Sequence, residues 1–181
     1  MSEFLTDAQK SALLSIARDA VRCAASGAPL DVAPGGEIPG ATGAFVTLKR
    51  GGQLRGCIGT LACRRSLPEE VARLAVSAAN EDPRFEPLHV SELDGLDVEV
   101  SVLGPLEVID PLDPAAFEIG RHGLVVEEGR RHGLLLPQVA TEWGWDRDEF
   151  LAQTCVKAGL PRDAWRRGAR VSRFPAIVFG G

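Results

Sequence analysis

The feature that most constrains the fold is a strand–turn–strand–helix pattern that the sequence contains twice. Gly56 in the first copy and Gly133 in the second are 77 residues apart, and the same offset superimposes the two helix patterns. Agreement at the helices as well as at the glycines favours an internal duplication over chance. Hairpins followed by helices, without regular β-α-β alternation, predict an α+β fold with a mixed or largely antiparallel sheet. The predicted segments are strands 44–49 and 54–59 with helix 68–80, and strands 123–127 and 132–136 with helix 146–158.

The length, residues 1–181, suits one domain, or one domain built from two lobes around a shared core. Thr6 is placed to cap a first helix, in which apolar residues recur at helical spacing until Gly27 and Pro29 end it. Residues 28–42 are rich in proline and glycine and predict an irregular wrap. Further strands are predicted at residues 97–103 and 171–179, and residues 106–109 either extend the first of these or begin another strand.

Charge and cysteine content narrow the function classes. The net charge is −5 and no run of Lys and Arg exceeds two residues, so nucleic acid and anionic membrane are poor partners, and RNA binding ranks last. The four cysteines form no CxxC pair and only three histidines occur, so we expect no metal site and no cofactor. The polar N-terminus lacks a signal peptide and no apolar run is long enough to cross a membrane, so we expect a cytoplasmic protein.

The hexapeptide 54–59, LRGCIG, is the first candidate site. Strand alternation puts Arg55, Cys57 and Gly59 on one face and Gly56 on the other, with its leucine and isoleucine neighbours. A guanidinium beside a thiol favours the thiolate, so Cys57 is a candidate nucleophile, and Arg55, Gly56 and Gly59 are candidate ligand-binding residues. The alternative is an inert, buried cysteine at the end of a hairpin.

Two loops carry further candidates. Asp82-Pro83-Arg84-Phe85 follows the first copy's helix, and Arg84 either binds an anion or pairs with Asp82, which is the favoured alternative. His122 lies between glycines, and it either acts as a general acid or base or fixes its own turn through a backbone hydrogen bond.

The segment WGWD, 143–146, joins two helix patterns. We expect the indoles of Trp143 and Trp145 to fill core, and Asp146 to cap the helix that follows.

These segments, in this order, resemble the AMMECR-one domain family, and within it the small prokaryotic members called AmmeMemoRadiSam system protein A. The similarity spans Phe45–Leu160, and LRGCIG is the most specific motif. The other matching pieces are DPRFEPL at 82–88 with EL at 92–93, VSVL at 100–103, GRHGL at 120–124, LPQVA at 136–140, WGWD at 143–146 and KAGL at 157–160.

The resemblance implies a two-lobed α+β fold with a cleft between the lobes and the hexapeptide near it. It also implies a shared pathway or complex with a Memo-like protein, related to extradiol dioxygenases, and a radical S-adenosylmethionine enzyme, but it names no reaction. Two hypotheses stay open. The favoured one is an accessory binding module whose cleft takes a partner surface, a peptide or a small molecule. The rival is an enzyme in which Cys57 reacts, Arg55 activates it and His122 moves protons.

Overall fold

A computed structural model describes residues 5–32 and 38–181 and divides the chain into two compact units. The first unit consists of the chain up to Leu103 together with Ile177–Gly181, and the second unit is Gly104–Ala176. The elements of the first unit are α1 (Asp7–Ser26), β1 (Gly43–Arg50), β2 (Gln53–Thr60), α2 (Leu67–Asn80), a 3₁₀ turn (Val90–Glu92) and β3 (Leu96–Leu103). The second unit contains β4 (Glu107–Ile109), β5 (His122–Glu128), β6 (Arg131–Leu135), α3 (Pro137–Trp143), α4 (Arg147–Lys157), a 3₁₀ turn (Ala164–Arg166) and most of β7 (Arg170–Gly180).

The first unit is an antiparallel sheet in the order β2-β1-β3, with the end of β7 beside β3. Gly181 marks this return, because its N–H donates to the Val98 carbonyl at 3.1 Å. Alternate residues of β1 and β3 are fully buried and form one core with α1 and α2. Members of that core include Val46, Leu48, Val100, Val71 and Leu74.

The second unit is an antiparallel sheet in the order β6-β5-β7-β4, with α3 and α4 packed against a separate core. Asp146 caps α4, because its Oδ1 accepts from the Glu149 N–H at 2.8 Å. Phe150 and Cys155 of α4 are fully buried beside Leu124 of β5. This confirms the cap and the inward face that the sequence predicts for α4.

Both units therefore contain the predicted strand–turn–strand–helix order, and the α+β prediction is confirmed. Gly56 and Gly133, the glycines that the two copies have in common, have the same structural role. A Cβ on Gly56 would lie 2.2 Å from the Ala78 carbonyl oxygen at the end of α2, and a Cβ on Gly133 would lie 2.3 Å from the Ala158 nitrogen at the end of α4. In each unit the helix ends directly on the second hairpin strand, and only glycine leaves room for it.

Two other predictions concern the chain outside this pattern. The predicted capping of α1 is confirmed, since the Thr6 Oγ1 accepts from the Gln9 N–H and Gly27 ends the helix with φ at 67°. Part of the predicted wrap, residues 33–37, lies outside the described residues. None of the helices described by the structure combines the length and the apolar character that crossing a membrane requires.

Candidate functional site

The candidate site is built on β2, an edge strand of the first unit. Thr47 of β1 lies opposite Cys57, and the Thr47 Oγ1 is 3.3 Å from the Cys57 Sγ. Close side chains are typical of the antiparallel pairs that exchange no backbone hydrogen bonds. The N–H and C=O of Cys57 therefore point to the open edge, where the N–H donates to Asp82 Oδ2 at 2.9 Å and the C=O accepts from Arg84 at 3.4 Å.

Asp82 and Arg84 form a two-pronged clamp on this edge. The Asp82 side chain is only 2% exposed, and its two oxygens accept from the Arg84 guanidinium at 2.9 Å and 2.7 Å and from the Arg84 N–H at 3.1 Å. These Arg84 bonds, with help from the Cys57 N–H, hold the pKa of Asp82 far below its ordinary value. The favoured alternative for Arg84, pairing with Asp82, is confirmed.

Arg55 is held by a second carboxylate. Its guanidinium donates to both oxygens of Glu92, at 2.8 Å and 3.0 Å, and to the Glu86 carbonyl at 3.0 Å. The side-chain hydrogen bond from Arg55, with a backbone bond from His89, lowers the pKa of Glu92 to about 2. The Arg55 and Arg84 guanidinium carbons lie 5.7 Å and 5.6 Å from the centre of the Phe85 ring, so one aromatic ring contacts both ion pairs.

A β-bulge explains why Arg55 meets Glu92. Leu48 pairs with Gly56 and Lys49 pairs with Leu54, so Arg55 is the extra residue on β2. A bulge bends the strand and changes the direction of the side chains around it. Leu54, which strict alternation would place in the core, is consequently 42% exposed.

The thiol of Cys57 is half-buried, and burial raises its pKa. The hydrogen bond with Thr47 and the charge of Arg84 act in the opposite direction, while the carboxylates Asp82 and Glu99 reinforce the rise. The cation that favours the thiolate is thus Arg84, whereas the sequence pattern points to Arg55.

The space beside the two glycines of the site is filled by other residues of the first unit. A Cβ on Gly59 would lie 2.1 Å from the Phe45 ring, and the open face of Gly56 is taken by α2. The close approach that glycine permits at these two positions therefore serves packing within the first unit.

His122 belongs to the second unit, at the start of β5. The ring Nδ1 of His122 accepts from the Glu118 backbone N–H at 3.1 Å, and the backbone N–H of His122 donates to the Glu118 carbonyl at 3.1 Å. Burial, and then the charges of Arg173 and Arg121, lower the pKa of His122. The structure thus shows the local hydrogen bond that was the alternative to an acid–base role.

Two partners in the site were missed by the sequence analysis. Glu92 belongs to a matched family segment, but nothing in its local pattern connects it to Arg55. Thr47 could have been found, because the hairpin register places it opposite Cys57.

A depression of about 400 Å³ beside the Arg55–Glu92 pair is lined by residues 50, 51, 53, 54, 55 and 92.

The expectation for the two indoles is wrong for Trp143, which is 69% exposed. Trp145 is partly buried and packs against the core of the second unit, as expected.

Among the residues that the structure describes, no group of three or more His, Cys, Asp or Glu side chains is placed to hold a metal ion.

Comparisons with known proteins agree with this architecture. The chain is 54% identical over 142 residues to a protein of Methanothermobacter thermautotrophicus, covering 76% of this chain and 74% of the relative. It is 47% identical over 186 residues to a protein of Aeropyrum pernix, covering 98% of this chain and 80% of the relative. The crystal structure of the uncharacterised protein PH0010 from Pyrococcus horikoshii matches with a TM-score of 0.87 at 41% identity, covering 98% of this chain and 94% of that one.

A family match covers most of the chain. Residues 14–179 match the AMMECR1 family, and this stretch includes the hexapeptide, the Asp82–Arg84 clamp and Glu92. The resemblance to the AMMECR-one domain is thereby confirmed. The chain belongs to the AMMECR1 family.

Proposed function

We propose that the protein is a non-catalytic binding module, and that β2 and the loop over residues 82–92 form its recognition surface. One observation carries the proposal: both arginines of the site are already neutralised by carboxylates, Arg55 by Glu92 and Arg84 by Asp82. Cations that are paired this closely form a fixed surface of alternating charge, which suits recognition by shape and hydrogen bonding.

The accessible groups suit a macromolecular partner. Leu54 is 42% exposed beside the depression next to Arg55, and half of the Arg84 side chain is exposed beside Phe85. An apolar side chain among paired charges is typical of the polar surfaces that form non-obligate complexes. We propose a Memo-like protein or a radical S-adenosylmethionine enzyme as the partner, because the family resemblance implies that the three act together.

A binding experiment tests this proposal with matched variants. The protein is mixed with the Memo-like and radical S-adenosylmethionine proteins of the same genome, and the mass of each mixture is measured by size-exclusion chromatography with light scattering. We expect a complex that Leu54→Glu abolishes. Val156→Glu is the control, because Val156 is 48% exposed on α4 of the second unit, and this variant should still form the complex. Absence of a complex with either protein at any concentration, or equal loss in both variants, contradicts the proposal.

The enzyme hypothesis has weaker support from the same geometry. A nucleophilic cysteine needs a thiolate near neutral pH, and burial moves the pKa of Cys57 the other way. Only Thr47 and Arg84 act in its favour. His122, which the hypothesis needs for proton transfer, is engaged with the Glu118 backbone of the second unit.

A further inference from the structure

A second surface, on the other unit, is formed by two tryptophans at the end of α3. Trp143 and Trp145 stack with ring centres 6.1 Å apart and planes 17° apart. Trp145 packs against the core, whereas 69% of Trp143 is exposed to water. A tryptophan ring left in water forgoes a large stabilisation by burial, and exposed aromatic rings are enriched where proteins bind partners.

Helix-end hydrogen bonds hold the backbone in place on both sides of the pair. Gly144 ends α3 in the left-handed conformation, with φ at 63°, and the next N–H, from Trp145, donates to the Ala140 carbonyl at 2.9 Å. One residue later, Asp146 caps α4 through its bond to the Glu149 N–H. A ring held between two capped helices loses little conformational freedom when a ligand binds.

Acidic residues lie on both sides of the pair in the sequence. Asp148 and Glu149 are paired with Arg166 and Arg162, but Glu142 and Asp146 have no ion-pair partner in residues 5–32 and 38–181. Glu142 directly precedes Trp143 in the chain, and Asp146 directly follows Trp145. The two carboxylates without an ion pair therefore lie on either side of the aromatic pair in the sequence.

The cations near Asp146 are engaged elsewhere: Arg162 and Arg166 pair with Glu149 and Asp148, and Arg147 binds the backbone. The Arg147 guanidinium donates to four backbone carbonyls, those of residues 111, 113, 114 and 117, and its centre lies 3.9 Å from the centre of the Phe117 ring. Arg147 thus fixes the loop before β5 to the start of α4. Both terminal nitrogens of Arg147 thus bind the backbone, and Arg147 forms no ion pair with Glu142 or Asp146.

We propose that the Trp143–Trp145 pair is a docking site for an arginine side chain of a partner protein. A planar guanidinium stacks on the exposed indole of Trp143, and the same group can donate to the carboxylate of Glu142 or Asp146. Arginine fits better than lysine, because its flat, weakly hydrated group matches an aromatic face and two acceptors at once. This site is independent of the β2 surface and does not rest on the function proposed for it.

The test uses NMR signals of the indole N–H groups, of which the chain has three. The probe is a capped hexapeptide with two arginines among glycines, added to the full-length protein. We expect saturable shifts of the Trp143 and Trp145 signals with a dissociation constant in the millimolar range. Trp165 is the internal reference, since it is buried, with only 6% exposed, and already lies under Arg166. Its signal should stay in place.

Matched changes to the peptide and the protein complete the test. The same peptide with citrulline in place of arginine should shift nothing, Trp143→Ala should abolish the Trp145 shift, and Glu142→Gln should weaken binding about two- to threefold. Glu69→Gln, on α2 of the first unit, is the control for charge and should bind like the parent.

Four results would overturn the proposal. The first three are equal shifts with the citrulline peptide, shifts of Trp165 that match those of Trp143, and no saturable shift in a folded protein. Indole shifts that depend on protein concentration without peptide would also overturn it, because they would make a second copy of this chain the occupant.

Discussion

Cys57 is subject to opposing influences that can be separated residue by residue. Burial and two carboxylates disfavour its thiolate, while Thr47 and Arg84 favour it, and the net effect is a raised pKa. The neighbour in sequence, Arg55, is held by Glu92 through two hydrogen bonds. The chemistry of this cysteine thus depends on contacts with residues 10 and 27 positions away.

We therefore expect slow alkylation of Cys57 in the folded protein. Its labelling by iodoacetamide, followed by mass spectrometry of the peptide that contains it, should rise with a midpoint above pH 9.0. The control is the same peptide in the denatured protein, whose midpoint should lie near the ordinary value. A midpoint in the folded protein below that of the denatured one would contradict the binding-module proposal and support the enzyme hypothesis.

The Arg55–Glu92 pair should make stability depend on acid. The pKa of Glu92 falls from 4.5 to about 2 on folding, so its contribution is complete above pH 4.5 and is lost as the pH drops towards 2. Glu92→Gln should lower the free energy of unfolding by about 1–3 kcal/mol at pH 7 and flatten the pH dependence in this window. Urea unfolding at a series of pH values measures both. Asp19→Asn, at an exposed pair with Arg22, is the control and should change little.

At the scale of elements, the loop after α2 serves as a partial substitute for a further strand. Asp82 and Arg84 satisfy the N–H and C=O of Cys57, which would otherwise be free at the sheet edge. A blunted edge of this kind resists pairing with other strands.

Asp82→Asn should loosen that edge. An amide cannot accept the same set of bonds and leaves Arg84 without its charge partner, so we expect a loss of about 2–3 kcal/mol in stability. Amide hydrogen exchange should become faster at Cys57, while the amides of β5 in the second unit keep their rates. Unchanged exchange at Cys57 would show that the clamp does not protect the strand.

The paired glycines give a prediction in each unit. Gly56→Ala and Gly133→Ala each push a Cβ into the backbone at the end of a helix, so each should cost about 1–3 kcal/mol of stability. Leu54→Ala, half-exposed on β2, should cost clearly less. Similar losses of unfolding free energy for all three variants in denaturant unfolding would contradict the close contact between each glycine and its helix end.

The elements could be predicted closely because their signals are local. Helices α2 and α4 follow from apolar spacing, α4 also from its cap at Asp146, and the hairpins follow from alternation around glycine turns. The site could be predicted only in part. Arg84 and Asp82 are two residues apart and their pairing was foreseen, whereas Arg55 meets Glu92 across 37 positions, through a bulge that no local pattern reveals. Trp143 was misplaced because an apolar ring normally seeks the core.

At the scale of the whole molecule, each unit has its own core, and the first unit is made from two separate parts of the chain. Ile177 and Phe179 pack against the core of the first unit, and Arg18 of α1 donates to the Gly181 carbonyl at 3.3 Å. The first part of β7, up to Ala176, thus belongs to the second unit, and its end, from Ile177, belongs to the first unit.

A chain that ends at Ala176 should be damaged in one unit only. We expect faster amide exchange in β3 and α1 and a lower melting temperature, because the first core loses the packing of Ile177 and Phe179. Arg18→Ala removes only one hydrogen bond and is the milder control. Exchange that accelerates equally in β5 and β6 would contradict the division into separate cores.

The return of the strand at Ile177–Gly181 also fixes an order of events during synthesis. A ribosome makes nearly all of the first unit early, yet that unit must wait for residues that are translated after the whole of the second. The part of the protein that begins first is therefore completed last, and until then the edge of β3 is open to any factor that binds nascent chains.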